Sequence, residues 1–185
     1  MKKVKFIFSA MMLVSSFFMA NAQSGKELSD TKKQLSQILK ANKQIEQNLI
    51  KFDTLDFVVY SKQEWKRLHE SHAQNIKVTY PDGSVTYGLE DHIKQLKPMF
   101  TFAPDTKIKV HPYRFGSGKY TAVTGVIEGT FTQPMQLPNG TSIQPTGKSF
   151  KLPMCTIGIW ENGVMIEEQL FWDNLAFMKQ IGLAN

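Results

Sequence analysis

Apolar residues follow two different periods along this chain, three to four residues before about position 105 and two residues after it. Between residues 23 and 50, Leu28, Leu35, Ile38, Ile45 and Leu49 are spaced by 7, 3, 7 and 4 in a polar, Lys/Gln-rich stretch. That spacing predicts a helix with one apolar stripe, and Ser29 and Asp30 suit its N-cap. The stripe also fits a heptad with Asn42 at a core position, so the helix either lies across its own domain or enters a short coiled coil. A second helix is predicted over Lys62 to His72, with Trp65, Leu68 and His72 on one face. It gives way to the alternating strand Ile76–Tyr80 and the turn Pro81-Asp82-Gly83. A third helix follows Gly88 with Leu89, Ile93, Leu96 and Phe100 inward. Glu90 and Asp91 sit at the positive end of its dipole, and Pro98 is expected to end or bend it.

From Asp105 onward the pattern is that of strands. Ile108 and Val110 alternate with Lys107, Lys109 and His111, and Gly116-Ser117-Gly118 turns the chain. Residues 119–134 predict a long strand with Val123, Gly125, Ile127, Gly129 and Phe131 on one face. Its two glycines mark expected bends. Asn139-Gly140 is another turn. Residues 148–161 predict a strand with Phe150, Leu152, Met154 and Trp160 together, and Asn162-Gly163 is a strong hairpin signal into a partner strand over 164–173. A last helix covers Asn174 to Ile181. The order predicts an α+β fold in which a four-strand antiparallel meander curves around a pocket under the helices.

The first 22 residues change the charge picture. Lys2, Lys3 and Lys5 precede an apolar run from Phe6 to Met19 and the small-x-small triplet Ala20-Asn21-Ala22, the pattern of a cleaved export leader. Removing 22 of the 185 residues leaves 163. It takes 3 of the 22 Lys+Arg and none of the 16 Asp+Glu, so the formal charge falls from +6 to +3. That weakens any nucleic-acid reading. The apolar run is about 14 residues where a membrane span needs roughly 20, so the mature protein is expected to be exported, periplasmic or secreted, and not membrane-inserted. Cys155 is the single cysteine, which excludes an intramolecular disulfide. The expected organisation is a leader at 1–22, a polar amphipathic helix at 23–50 and one domain at 51–185, with a homodimer as one possible assembly.

Several short motifs in this layout resemble the SnoaL-like polyketide cyclases, or ester cyclases, of the NTF2-like superfamily. They are His72-Ala73-Gln74-Asn75, Pro81-Asp82-Gly83, Gly88, Ala103-Pro104-Asp105, Gly125, Gly129-Thr130-Phe131 and Thr146-Gly147-Lys148. Most specific is Glu167-Glu168-Gln169-Leu170-Phe171-Trp172-Asp173, followed by Gln180-Ile181-Gly182-Leu183. The resemblance covers roughly residues 57–183. It implies a cone-shaped α+β barrel that binds a small, largely apolar carbonyl compound. It also implies that Asp173, by motif position, is the acid/base residue of a cyclisation, isomerisation or hydration. Many relatives carry a His-Trp pair five and four residues before that Asp; here those positions hold Glu168 and Gln169. A non-catalytic ligand-binding or interaction module on the same fold is the alternative.

Read from the residues alone, Asp173 has two possible roles. It follows the apolar Leu170-Phe171-Trp172, where desolvation would raise a carboxyl pKa and suit proton transfer. It also stands where the N-cap of the last helix is expected. On an extended strand Glu167, Gln169, Phe171 and Asp173 share one face, and Glu168, Leu170 and Trp172 share the other. If Asp173 faces the pocket, Gln169 lies beside it as a hydrogen-bond donor. His72, where the chain enters the sheet, is a candidate base or ligand hydrogen-bonder. Trp65, Tyr80, Phe100, Trp160, Glu168, Phe171 and Trp172 are the candidate ligand-binding residues. No metal and no cofactor are expected. His69-Glu70-Ser71-His72 is one residue short of a zinc-protease motif, and His92 and His111 fall on separate elements.

Overall fold

The structure, a computed structural model, describes residues 25–137 and 139–185 in full and residues 2–24 as backbone only. The expected leader at 1–22 lies outside the fully described residues. The chain divides into two units, Met1–Asn42 and Lys43–Asn185. The first belongs to helix α1 (Lys2–Thr54), and its residues 25–42 are exposed throughout, Leu28, Leu35, Ile38 and Leu39 among them. Among the described residues, no helix is long and apolar enough to cross a membrane.

The second unit holds the remaining elements and opens with the last turns of α1. There Leu49 and Phe52 are buried, at 5% and 1% exposure. The helix then widens into a π-helical segment, Leu55–Tyr60, in which the Ser61 and Glu64 amides reach back five residues to Asp56 and Val59. Such a widening turns the side chains that follow out of the ordinary helical phase and is common beside functional sites. Here it sends Leu55, Asp56 and Tyr60 to one cavity wall. The helix expected over Lys62 to His72 is only a short 3-10 stretch, Trp65–Glu70. His72 opens strand β1 (His72–Thr79) instead of closing a helix.

After β1 come β2 (Val85–Tyr87), α2 (Leu89–Phe102), β3 (Lys107–Ile108), β4 (Arg114–Ser117) and β5 (Tyr120–Thr130). A short hairpin, β6 (Met135–Gln136) with β7 (Ser142–Ile143), leads to β8 (Ser149–Glu161), β9 (Val164–Trp172) and α3 (Asn174–Gln180). Pro98 does not stop α2, which runs four residues past it.

The main sheet has seven strands. Its path is β2-β1-β9-β8-β5-β3, with β4 also on β5. Every pair is antiparallel except β1 with β9, where the first strand of the body runs parallel to the last. The expected four-strand meander is therefore only part of a mixed, mainly antiparallel sheet. The alternation along β5 and β8 is as the pattern predicts, with Val123, Ile127, Phe150, Leu152 and Met154 all buried. Gly129 faces a neighbour instead of a free bend: a Cβ there would lie 2.8 Å from the Phe150 ring and 2.9 Å from Thr106 Oγ1. The Asn162-Gly163 turn, with φ of 50° and 79°, has both central residues left-handed, as a two-residue hairpin requires.

Candidate functional site

From Glu168 onward the inward phase of β9 is even-numbered; before the register shift near its start, Met165 is buried. Glu168 and Leu170 are buried and Trp172 is half-buried, and all three line a cavity of about 270 Å³. The cavity lies between the sheet and the helical segments of the second unit. β1 supplies His72, β5 Ile127, β8 Met154 and Thr156, and β3 Ile108. From α2, His92, Gln95, Leu96 and Met99 project at the i, i+3, i+4, i+7 spacing of one helical face. Tyr80, Pro81, Asp82 and Ser84 line it from the turn after β1. The walls are mostly apolar, with a few buried polar groups among them, the usual make-up of a small-molecule pocket.

The buried ionisable groups among them belong to two clusters. The first joins Glu168, His72 and His92, exposed by only 4%, 2% and 2%. Glu168 Oε2 lies 3.6 Å from His72 Nε2 and 3.5 Å from His92 Nε2. The two imidazoles stack, with centroids 5.3 Å apart. Each is held from behind through Nδ1, by Ser71 Oγ at 2.9 Å for His72 and by the Tyr80 hydroxyl at 2.8 Å for His92. Burial works hardest against charge on Glu168, yet His72 and then His92 outweigh it and keep the carboxyl below its ordinary range. Burial likewise pushes His92 down to about 4.

The second cluster is a carboxylate-histidine-carboxylate chain. His111, its side chain only 2% exposed, is held by Asp53 Oδ1 at Nδ1 and Asp56 Oδ2 at Nε2, both at 2.8 Å. Both ring nitrogens face carboxylates, which is the environment of an imidazolium. Burial opposes that charge, but the bonds and charges of Asp56 and Asp53 prevail and raise the His111 pKa. Asp56 is buried and lines the cavity. Desolvation raises its carboxyl above the ordinary range even with His111 pulling the other way. Beside it Tyr60 also lines the cavity, and burial followed by the Asp56 charge raises the phenol so that it keeps its proton.

The expected site is displaced by one residue along β9. Asp173 is exposed and caps α3, accepting from the Ala176 amide at 2.9 Å. Gln169 is on the outer face, donating to Glu167 Oε1 at 3.3 Å beside the Lys77–Glu167 ion pair. Phe171, also outward, is 47% exposed. Neither Asp173, Gln169 nor Phe171 lines the cavity, because their shared face is the outer one. Of the other expected residues, His72, Tyr80, Glu168 and Trp172 do line it. Trp65 and Phe100 instead pack with Tyr60 in an edge-to-face aromatic group behind the wall. Trp160 is a core residue whose indole donates to Thr121 Oγ1 at 2.8 Å. Sequence patterns do not reach Asp56, Tyr60 and His92. Asp56 and Tyr60 lie in the stretch between two predicted helices, where no period assigns a face. His92 shares no local motif with the residues it meets, because α2 and β9 are far apart in sequence.

The comparisons agree with this architecture. Residues 54–181 match the model of the SnoaL-like polyketide cyclases. The chain belongs to the SnoaL-like polyketide cyclase family. Among solved structures, this SnoaL-like protein is similar to a candidate SnoaL-like polyketide cyclase from Jannaschia sp. CCS1 at 19% identity and a TM-score of 0.65, over 76% of this chain and 95% of that one. It is also similar to IdmH, a candidate polyketide cyclase from Streptomyces antibioticus, at 18% identity and a TM-score of 0.62, over 73% and 98%. A protein from Catenulispora acidiphila with a ketosteroid isomerase-like fold matches at 13% identity and a TM-score of 0.54, over 68% and 87%. No curated protein matches the chain. The NTF2-like fold read from the motifs is thus the fold of the SnoaL-like body, and membership supports a small-molecule-binding function of the cyclase or isomerase type.

Proposed function

We propose that this SnoaL-like protein transfers a proton next to the carbonyl of a small, largely apolar compound, leading to isomerisation or ring closure. The observation that carries the reading is the placement of Asp56. It is a buried carboxylate at the wall of an apolar cavity, backed by the His111–Asp53 chain and standing beside the protonated Tyr60 hydroxyl. A general base works best when its pKa is drawn toward the working pH, and burial moves Asp56 in that direction. In the step proposed, Asp56 takes the proton from carbon and the Tyr60 hydroxyl donates to the oxygen on which charge develops. Return of the proton to another carbon gives an isomer; attack of the enolate carbon on a second carbonyl of the same molecule closes a ring. The apolar side chains Leu96, Met99, Ile127 and Met154 exclude water around the reacting carbons. The leader-like start supports an exported protein, which sets the compound outside the cytoplasm.

The natural substrate need not be identified for a test. Enolisable ketones that fit the cavity are incubated with the protein in D₂O, and deuterium uptake at the carbon next to the carbonyl is followed by NMR. Wild type is expected to accelerate uptake, and Asp56→Asn to lose about 10²- to 10⁴-fold of that acceleration while still binding the ketone. Unchanged exchange in Asp56→Asn would remove Asp56 from the mechanism. Binding without any exchange in wild type would leave the ligand-binding reading in its place.

A further inference from the structure

Two buried polar atoms in the first cluster, His72 Nε2 and Glu168 Oε2, have no hydrogen-bond partner among the described residues. A buried orphan of this kind carries the full desolvation cost of the group, and more when charged, so two at one point call for an occupant. The protons of the histidines narrow its nature. Ser71 Oγ donates to the Leu68 carbonyl at 3.2 Å, so its lone pairs remain to accept from His72 Nδ1–H. The Tyr80 hydroxyl spans Thr86 Oγ1 at 3.3 Å and His92 Nδ1 at 2.8 Å, so it can donate to the first and accept from the second. In the tautomers in which both Nδ1–H groups donate to these hydroxyls, each imidazole turns a bare Nε2 toward the Glu168 carboxylate, the arrangement a metal ion requires. Three electron-pair donors facing one another repel unless a cation lies between them. A proton bridges the gap poorly, because 3.5 and 3.6 Å exceed ordinary hydrogen-bond length.

We propose that His72, His92 and Glu168 form a binding site for a divalent transition-metal ion of the zinc or iron(II) type. The three donor atoms lie within 4.8 Å of one another. The two shorter separations, 3.5 and 3.6 Å, approach the roughly 3.4 Å between tetrahedral ligands about 2.1 Å from a common centre. Two imidazoles with one carboxylate suit borderline metals better than calcium or magnesium, which prefer oxygen. The Nδ1 contacts supply the outer hydrogen bonds by which metal-bound histidines are usually oriented. All three residues also line the cavity, so the remaining coordination positions open toward a small molecule there. This site goes beyond the acid/base reading and does not depend on it.

The test is metal binding read without any substrate. Metal-free wild-type protein is titrated with Co(II), followed by its visible d–d absorption, and with Zn(II), followed by calorimetry. One equivalent per chain is expected, with d–d bands of low-symmetry nitrogen/oxygen coordination. His92→Ala and Glu168→Gln should each weaken binding at least about 10- to 100-fold, and Asp56→Asn, which removes none of the three donor atoms, should still bind one equivalent. Near-UV circular dichroism establishes which variants are folded. If Glu168→Gln is unfolded, His92→Ala and the wild-type cobalt spectrum still decide the matter. Wild-type binding no tighter than that of His92→Ala, or a purely hexaaquo-like cobalt spectrum, would overturn the proposal. Loss of exchange in Asp56→Asn with metal binding intact separates this result from that of the acid/base reading.

Discussion

His111 is the residue whose titration this SnoaL-like protein couples most directly to its fold. Asp53 and Asp56 hold its two nitrogens, Arg114 reaches Asp53 at 3.3 Å, and Glu168 and His72 act on Asp56 from the sheet. The folded His111 pKa is raised above the ordinary 6.5. The native state therefore holds its proton where the unfolded chain has released it, and the stabilisation is complete below pH 6.5 and lost as pH climbs through the folded value. Asp56 acts in the same sense, since its raised pKa also makes the native state bind more protons. Urea unfolding between about pH 7.5 and 9, above the range in which the depressed His92 gives the opposite slope, should show stability falling as pH rises, and His111→Asn should flatten that slope. A slope that survives the substitution would locate the coupling elsewhere.

At the scale of elements, the ends of β9 explain why the site is only partly legible in the sequence. Alternation identifies a strand but leaves open which face is inward when both carry a carboxylate, as Glu168 and Asp173 do on the two faces here. The buried partners settle it: Glu168 pairs with Val78 across the parallel β1–β9 ladder, and both are buried, while Glu167 pairs with Lys77 on the outside. That ladder joins residues 90 positions apart, which local periodicity does not reach. The strands β5 and β8 and the Asn162-Gly163 turn are legible because their signals are local. Asp173 itself belongs to α3. Its carboxylate replaces a missing intrahelical partner for the Ala176 amide, a contribution of about 1 kcal/mol. Asp173→Ala should lower stability by about that amount in denaturant unfolding, and Asp173→Asn by much less. Neither should change deuterium uptake, whereas a catalytic Asp173 would lose it in both.

At the scale of the molecule, the fold-bearing body begins later than the helix that leads into it. Among the described residues no buried position precedes Asn48, and the apolar core starts with Leu49 and Phe52. Leu49, Phe52, Leu55 and Val59 join Ile76, Val78, Val123 and Met165 in one cluster, so the last turns of α1 belong to the same core as the sheet. They also set the start of the π-helical segment that delivers Asp56 and Tyr60. A chain beginning at Lys43 therefore keeps every core residue among those described, and its cooperative unfolding and cavity chemistry should match those of the full chain. Shortening past Leu49 removes the first of them, and the single substitution Leu49→Ala is expected to cost about 2–5 kcal/mol, as large-to-small changes at buried sites do. Comparing urea midpoints of the 43–185 chain with and without Leu49→Ala checks both halves of the argument. A 43–185 chain that fails to fold, or a Leu49→Ala variant as stable as its parent, would place the start of the core elsewhere.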